Sequence, residues 1–401
     1  MTLGTGTPAA KRWPRITVWR AIFAAILLSG AYATYLRIFY GLGGSTNLSD
    51  KFPWGLWIAF DVMCGVALAA GGFTLVAIVH IFGIEKYRPV LRPCILTAFL
   101  GYVLVVVGLL FDLGRPDRLW HPLVMWNPHS VMFEVAWCVT LYSTVLFLEF
   151  VPVVCERFGW AKPAEWIHRI SVPLMILGIL LSTLHQSSLG SLFLIVPAKL
   201  YPLWYSPVLP LLFFVSAIAV GLAMTIFESW HSSRAFGRAL ELPLLASLGR
   251  VLAVTMSVYL WIRFLDLLQR GVLPLVARNR METWLFALEI GLALVPTVLL
   301  YQRSVRMRPG ALYACAVMVV FSVIANRLNV GTTGLEAGSG THYTPKWSEI
   351  AITLSIVAAG FAIFRMVAGY FPIFEAQAHG NEHAVAEVSP QKKEVDPVAV
   401  G

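Results

Sequence analysis

Charge is what this sequence has least of. Only 13% of its 401 residues are Asp, Glu, Lys or Arg, while 58% are apolar and 14 are tryptophan. No soluble domain needs that much apolar surface, so the composition excludes a water-soluble globule and leaves a polytopic membrane protein. The formal net charge of +9 is then read as lysine and arginine of cytoplasmic loops, not as a nucleic-acid surface. Cysteine is also sparse. Cys64, Cys94, Cys138, Cys155 and Cys315 form no C-x-x-C pair, which excludes an iron–sulfur cluster held by this chain alone and leaves small core residues. Histidine within apolar spans is limited to His80, near an inner end, and His185, in the middle to outer part of its span. A b-type haem needs two at matching depth, so these two do not share one. No small-residue cleavage site follows MTLGTGTPAAKRWPR, so the first span reads as uncleaved.

What is present is ten apolar spans, at 17–39, 54–83, 90–111, 130–151, 170–196, 207–229, 247–268, 282–301, 310–328 and 348–371. The expected fold is an all-α integral membrane domain over 17–371. A cytoplasmic segment, 1–16, precedes it and a polar, disordered tail, 372–401, follows. With the N-terminus in the cytoplasm, 18 lysines and arginines fall on inner loops and flanks and 10 on outer ones. Both termini are therefore expected inside.

A faint internal repeat runs through the spans. LLFDLGR closes span 3 and RFLDLLQR closes span 7. Glu134 follows Asp112 by 22 residues, and Glu289 follows Asp266 by 23. HQSSLG in span 5 stands where NRLNVG stands in span 9. The pattern predicts two parallel four-helix bundles, spans 2–5 (about 54–196) and 6–9 (about 207–328), flanked by spans 1 and 10. Short matches between apolar helices also arise by chance.

By depth, Asp61, Glu134, Glu289, Glu349, Asp112, Arg263, Asp266, Asn326 and Arg327 all fall in the outer half, with His185 and Gln186 on the outer side of the middle. The inner half is drier, apart from Glu228 and Arg365. Charges inside a membrane bundle face a cavity or a partner, and many at one level point to one polar site near the outer face. The competing reading is ion pairing that only locks helices, such as Arg327 with Glu349 or Arg263 with a nearby acid. Two long outer segments, Asp112–Ser130 and Asn326–Glu349, read as loops able to dock a partner or roof a site.

The stretches WGLWIAFDVMCGVALAAGGF, FDLGRPDRLWHP, NPHSVMFEVAW, LSTLHQSSLGSLFLI and NRLNVGTTGLE resemble the NrfD/polysulfide-reductase membrane subunits. They are most similar to the HybB branch, which serves periplasmic nickel–iron hydrogenases. The likeness covers roughly 17–375. It implies a bacterial inner-membrane subunit without haem or cluster of its own, reacting with a quinone such as menaquinone. Electrons would pass through a periplasmic ferredoxin-like iron–sulfur subunit and, beyond it, the hydrogenase large and small subunits.

Quinone reduction needs an apolar slot, donors to the carbonyl oxygens and a proton source. In this reading Trp54, Trp57 and the Gly/Ala face supply the slot. His185 and Gln186 contact the head, and Asp61 or Glu134 delivers a proton. Asp112 and Arg115 stand at the mouth. Glu228, Tyr102, His185 and Glu134 form a rough ladder across the bilayer, a pattern of proton relays. Three other readings stay open: the membrane subunit of another respiratory oxidoreductase acting on sulfur compounds or nitrite, a solute transporter, and a passive anchor. Against a carrier, no span is clearly broken by Gly or Pro in both halves.

Overall fold

The computed structural model describes residues 17–374. The expectations for 1–16 and for the tail from 375 onward lie outside the described residues. The tail's first part differs from expectation: Ile373 is buried, and Phe374 packs on Phe236.

Among the described residues the chain is helical, apart from turns and one isolated bridge between Ser49 and Phe52. It is a multi-pass integral membrane protein. Ten helices are long and apolar enough to cross a bilayer: α1 (Val18–Ser45), α2 (Trp57–Ile81), α3 (Glu85–Asp112), α4 (Val131–Phe158), α5 (Ser171–Ile195), α6 (Leu209–Phe236), α7 (Leu242–Gln269), α8 (Met281–Tyr301), α9 (Pro309–Ser339) and α10 (Trp347–Tyr370). Several overrun the apolar stretches that announce them. Hydropathy marks the hydrocarbon layer, whereas a helix continues until its backbone is capped. Thus α4 and α6 pass the expected ends at 151 and 229 and stop at Gly159 (φ 69°) and Gly237 (φ 64°). The amides of these glycines bond back to the carbonyls of Cys155 and Ser233. Glycine takes that left-handed conformation without a Cβ clash.

Two elements depart from the sequence reading. First, α2 is not one regular helix. It is π-helical over Trp57–Cys64 and Ala77–Ile81, with a turn at Ala69 and Ala70 between its α-helical pieces. π turns are rare and concentrate at functional sites, and Asp61 lies in the first. Second, the outer loop expected from Asn326 is helical as far as Ser339, through a π segment at Asn329–Thr333. Glycine and threonine make it look like loop, but tertiary contacts override that propensity. The Tyr201 amide donates to the Gly334 carbonyl at 2.8 Å, and Gly338 lies against the Lys199 backbone.

The helix contacts form two closed circuits. In one, α2 packs on α3, α3 on α4, α4 on α5, and α5 back on α2; in the other, α6, α7, α8 and α9 close in the same order. α2 touches both α6 and α9, and α5 touches α6. α1 lies on α10, and α10 lies on α3. The seam between circuits depends on the small residues of GVALAAGG. A Cβ on Gly221 would come within 2.7 Å of the Gly71 nitrogen and 2.8 Å of the Ala70 carbonyl carbon. Backbone meets backbone there, as at small-residue helix crossings in bilayers.

This contact sets a test. Gly221→Ala forces backbone to move and should destabilise the protein by about 1–3 kcal/mol. Gly291→Ala meets nothing within 4 Å and should be neutral or slightly stabilising, since alanine is the better helix former. Thermal unfolding in mild detergent compares the two. Equal behaviour would show that the α2–α6 crossing is not close-packed.

Candidate functional site

The first circuit gathers polar side chains from α3, α4 and α5. On α5, His185 and Ser188 are three residues apart and so share a face. His185 is fully buried, and its Nδ1 lies 3.0 Å from the Tyr102 hydroxyl on α3. Ser188 Oγ lies 2.5 Å from Glu134 Oε1 on α4. Gln186, further round α5, donates to the Val66 carbonyl of α2 at 3.0 Å. Glu134 is half-buried in the first turn of α4, where the helix dipole favours an acid, and Ser130 caps that turn by accepting from the Phe133 amide. His185, Tyr102, Gln186 and Glu134, all read from sequence as site residues, therefore fall in one circuit.

The same circuit holds polar atoms that have no hydrogen-bond partner: His185 Nε2, the Tyr142 hydroxyl and Ser182 Oγ. Ser182 is one turn from His185 and lies beside both tyrosine hydroxyls without a bond of good geometry. The Tyr102 and Tyr142 rings meet edge to face at 4.7 Å. Two turns further along α4, Glu149 is half-buried, and a Cβ on Gly178 would lie 3.8 Å from its Oε1. Tyr142, Ser182 and Glu149 escaped the sequence reading. Their signal was present: Glu134, Tyr142 and Glu149 recur at spacings that keep them within one wedge of α4.

Glu228 sits differently from the expected ladder. It accepts from Thr97 Oγ1 at 2.8 Å and lines a cavity near the C-terminal end of α6 with Pro93, Ser229 and Glu241. No hydrogen bond links it to Tyr102. Glu149, beside Gly178, is the acid that lies toward α5.

Trp57, Asp61 and Asp112 face away from His185, toward α10 and α1. Trp57 is fully buried. Its indole donates to the Glu349 carbonyl at 3.3 Å. Asp61 accepts from Thr353 Oγ1 of α10 at 2.7 Å and abuts Gly108 of α3. Asp112 is within electrostatic range of Asp61, Arg37 and Glu349, and its Oδ1 has no hydrogen-bond partner. Arg37 donates to the Phe111 and Leu113 carbonyls at 2.7 Å each, which closes the end of α3. Glu349 takes the Tyr343 hydroxyl at 2.5 Å and the Lys346 amide at 2.8 Å. Trp54 points the other way, edge-on to Phe193 of α5 at 5.9 Å. The two tryptophans therefore do not build one slot. Arg115 is exposed and bound to Asp117 by two 3.0 Å hydrogen bonds, which hold that carboxyl below its ordinary range.

The second circuit uses its acid differently. Glu289 is buried and accepts from Trp204 Nε1 at 2.9 Å, Asn326 Nδ2 at 2.8 Å and Asn329 Nδ2 at 2.9 Å. The ion pairs weighed from sequence are absent. Arg327 donates to Asn326, the Phe213 carbonyl and Ser216, and Arg263 donates to the Leu203 carbonyl. Each of these arginines keeps an unpartnered Nε. The short buried bridge in this circuit is Asp266 to Arg270, at 2.6 Å.

At the end of the first circuit where α4 begins, Trp126 packs on Trp137 and Phe133 with ring centroids 5.0 and 5.7 Å apart, and Trp137 donates to the Pro122 carbonyl at 2.9 Å. This aromatic patch adjoins Glu134 on α4. Trp126, Met125 and Val124 remain exposed.

The model of the family described as polysulphide reductase, NrfD, matches residues 44–336. A protein of Nitratidesulfovibrio vulgaris is 38% identical over 89% of this chain and 95% of its own length. The probable Ni/Fe-hydrogenase 2 b-type cytochrome subunit of Escherichia coli is 31% identical, over 92% of this chain and 95% of its own. The menaquinone reductase integral membrane subunit of N. vulgaris is 28% identical, over 92% and 94%.

The two circuits predict different outcomes for equivalent acids. Glu289→Gln places an amide donor among three donors, and should cost about 1–3 kcal/mol. Glu134→Gln, half-buried with one hydroxyl partner, should leave the unfolding temperature close to wild type. Differential scanning fluorimetry of the two variants decides. A larger loss at Glu134 would make that residue the structural one.

Proposed function

Because this chain belongs to the polysulphide reductase NrfD family, we propose that it is the quinone-reactive membrane subunit of a respiratory oxidoreductase. Its partner in this reading is an iron–sulfur subunit on the periplasmic side, linked to a nickel–iron hydrogenase. Two relatives support the finer parts: one is named for menaquinone reduction, the other for Ni/Fe-hydrogenase 2. A sulfur- or nitrite-linked complex is the alternative, and copurifying subunits distinguish them. The location is the bacterial inner membrane, with both termini cytoplasmic, on the strength of the lysine and arginine bias.

The observation that carries the reading is the buried His185–Tyr102 pair with His185 Nε2 left unpartnered, one turn from the Ser188–Glu134 bond. A buried polar atom without a partner is costly, and such atoms mark places where water or ligand enters. Reducing a quinone consumes two electrons and two protons, and the ring oxygens become hydroxyls. The iron–sulfur partner supplies the electrons. Tyr102 holds Nδ1, so Nε2 is the ring atom facing a carbonyl oxygen. Glu134 is the half-buried acid that passes a proton in, and the Trp126–Phe133–Trp137 patch is the nearest aromatic surface. Ser182, Tyr142 and Glu149 extend the polar file inward, so protons drawn from the inner side would couple turnover to the proton-motive force. A second position is favoured by the orphaned Asp112 oxygen beside Asp61.

The residues present do not fit a b-type haem, despite the name of the E. coli relative. Three histidines lie on membrane-length helices, one more than the sequence reading counted. His185 is tied to Tyr102. His231, near the inner end of α6, has its Nε2 3.0 Å from the Tyr313 hydroxyl. His80 is exposed at the inner end of α2. No two of them face one another across a site.

Replacing His185 by Ala, or Glu134 by Gln, should lower quinone-linked turnover in membranes by about 10²–10⁴-fold. Activity of the extrinsic enzyme with a soluble dye, which bypasses the membrane site, should persist. Wild-type quinone activity in both variants would move the site to Asp61 and Asp112. Loss of dye activity as well would make the residues structural. An anchor or a solute transporter would show no quinone dependence at all, and a dithionite-sensitive Soret band in the purified chain would overturn the haem-free reading.

A further inference from the structure

At the expected inner end of the second circuit, far from His185, three arginines surround one cavity. Arg250 comes from the first turns of α7, and Arg303 and Arg306 from a short helix, Arg303–Arg306, that joins α8 to α9. The cavity measures about 350 Å³ and is completed by Pro243, Ser247 and Met307. No carboxylate lines it. None of the three guanidinium groups makes an ion pair or a side-chain hydrogen bond, whereas Arg88, Arg92, Arg115 and Arg270 all pair with acids.

Arg306 is the unusual member. It is only 5% exposed, with its stem over Gly249, 3.6 Å from where a Cβ would lie there. Burial, and then the neighbouring charges of Arg250 and Arg303, hold it below the ordinary arginine range. A covered cation beside two like charges costs free energy unless an anion joins it. Simple exposure would have relieved Arg306, as it relieves its two neighbours. Ser247 adds a hydroxyl on the cavity wall, placed by its bond with Tyr87 at 2.9 Å.

We propose that this cavity binds the phosphate of an anionic phospholipid. Guanidinium forks match phosphate oxygens in pairs. The cavity lies where membrane-length helices end, at the level of headgroups, and basic pockets between helices on that side are sites for such lipids. Pro243, Ala246 and the exposed Met307 give the glycerol and upper chain an apolar border. The lipid would pin α7 to the α8–α9 connection and neutralise a cluster that otherwise repels itself.

Native mass spectrometry of the full-length protein in mild detergent tests this, with phosphatidylglycerol, cardiolipin and phosphatidylcholine supplied at equal concentration. Anionic adducts should outlast phosphatidylcholine adducts on collisional activation. Each arginine removed should lower their retention about fivefold. Arg250→Gln with Arg303→Gln changes only exposed side chains, so folding is preserved and checked by unfolding temperature; Arg306→Gln is the second variant. Excess inorganic phosphate should leave the lipid adducts in place. Equal retention of phosphatidylcholine, or unchanged anionic binding in the double variant, overturns the proposal. Displacement by inorganic phosphate also overturns it and assigns the cavity to a soluble anion.

Discussion

A hydrocarbon layer offers a polar group no water, so each one must find its partner inside the protein. The second circuit obeys this at its acid. Glu289 takes three side-chain donors, two from α9 and one from the loop between α5 and α6, and Ser322 also binds its carbonyl at 3.0 Å. The first circuit does not obey it. Its acid has one hydroxyl partner, and His185, Tyr142 and Ser182 leave atoms unmatched. A fold that satisfies the acid of one circuit and leaves that of the other with a single partner has given up stability where polarity is needed for another purpose.

The internal repeat makes this comparison position by position. Aligning HQSSLG with NRLNVG sets Ser188 against Asn329 and Gln186 against Arg327. Ser188 bonds Glu134 of α4, and Asn329 bonds Glu289 of α8. Gln186 bonds a carbonyl of α2, and Arg327 bonds a carbonyl of α6. In both circuits the aligned residues thus bond to the helices that the repeat would pair. Within the aligned segment one difference is plain: Asn326 donates to the acid of its circuit, whereas His185 turns to Tyr102. The histidine frees Glu134 from a partner and brings a titratable ring into the core.

Ten spans and the all-helical class were legible because apolar runs of that length have few other uses. Depth was legible as well, and it grouped Asp61 with Glu134 and His185. Azimuth was not. A π turn at Trp57–Cys64 changes the angular step per residue, so no regular wheel would have placed Trp57 and Asp61 against α10. The helical course of Asn326–Ser339 was hidden for a related reason, since Gly334 and Gly338 look like loop residues but serve close contacts with Tyr201 and Lys199. Glu149 was overlooked because a single acid near a helix end reads as interfacial. Only its register with Tyr142 and Glu134 distinguishes it.

Asp61 also shows how the first circuit is enclosed. Its bond to Thr353, with the Trp57 bond to the Glu349 carbonyl, fastens α2 to α10, and α10 with α1 covers α3 on that side. On the opposite side α2 and α5 meet the second circuit through small residues packed backbone to backbone. Most of the first circuit's apolar face that remains exposed belongs to α4 and α5, where Met132, Leu141, Leu180 and Leu184 are exposed. Glu134 is half-buried on that same face, while His185 lies fully enclosed one turn behind Ser188. If a lipid-borne quinone is the substrate, it meets Glu134 first, and His185 is reached only where the α4–α5 seam yields. The flanking helices therefore do more than anchor the bundle: in that reading, by covering α2 and α3 they leave the α4–α5 side as the approach for a membrane substrate.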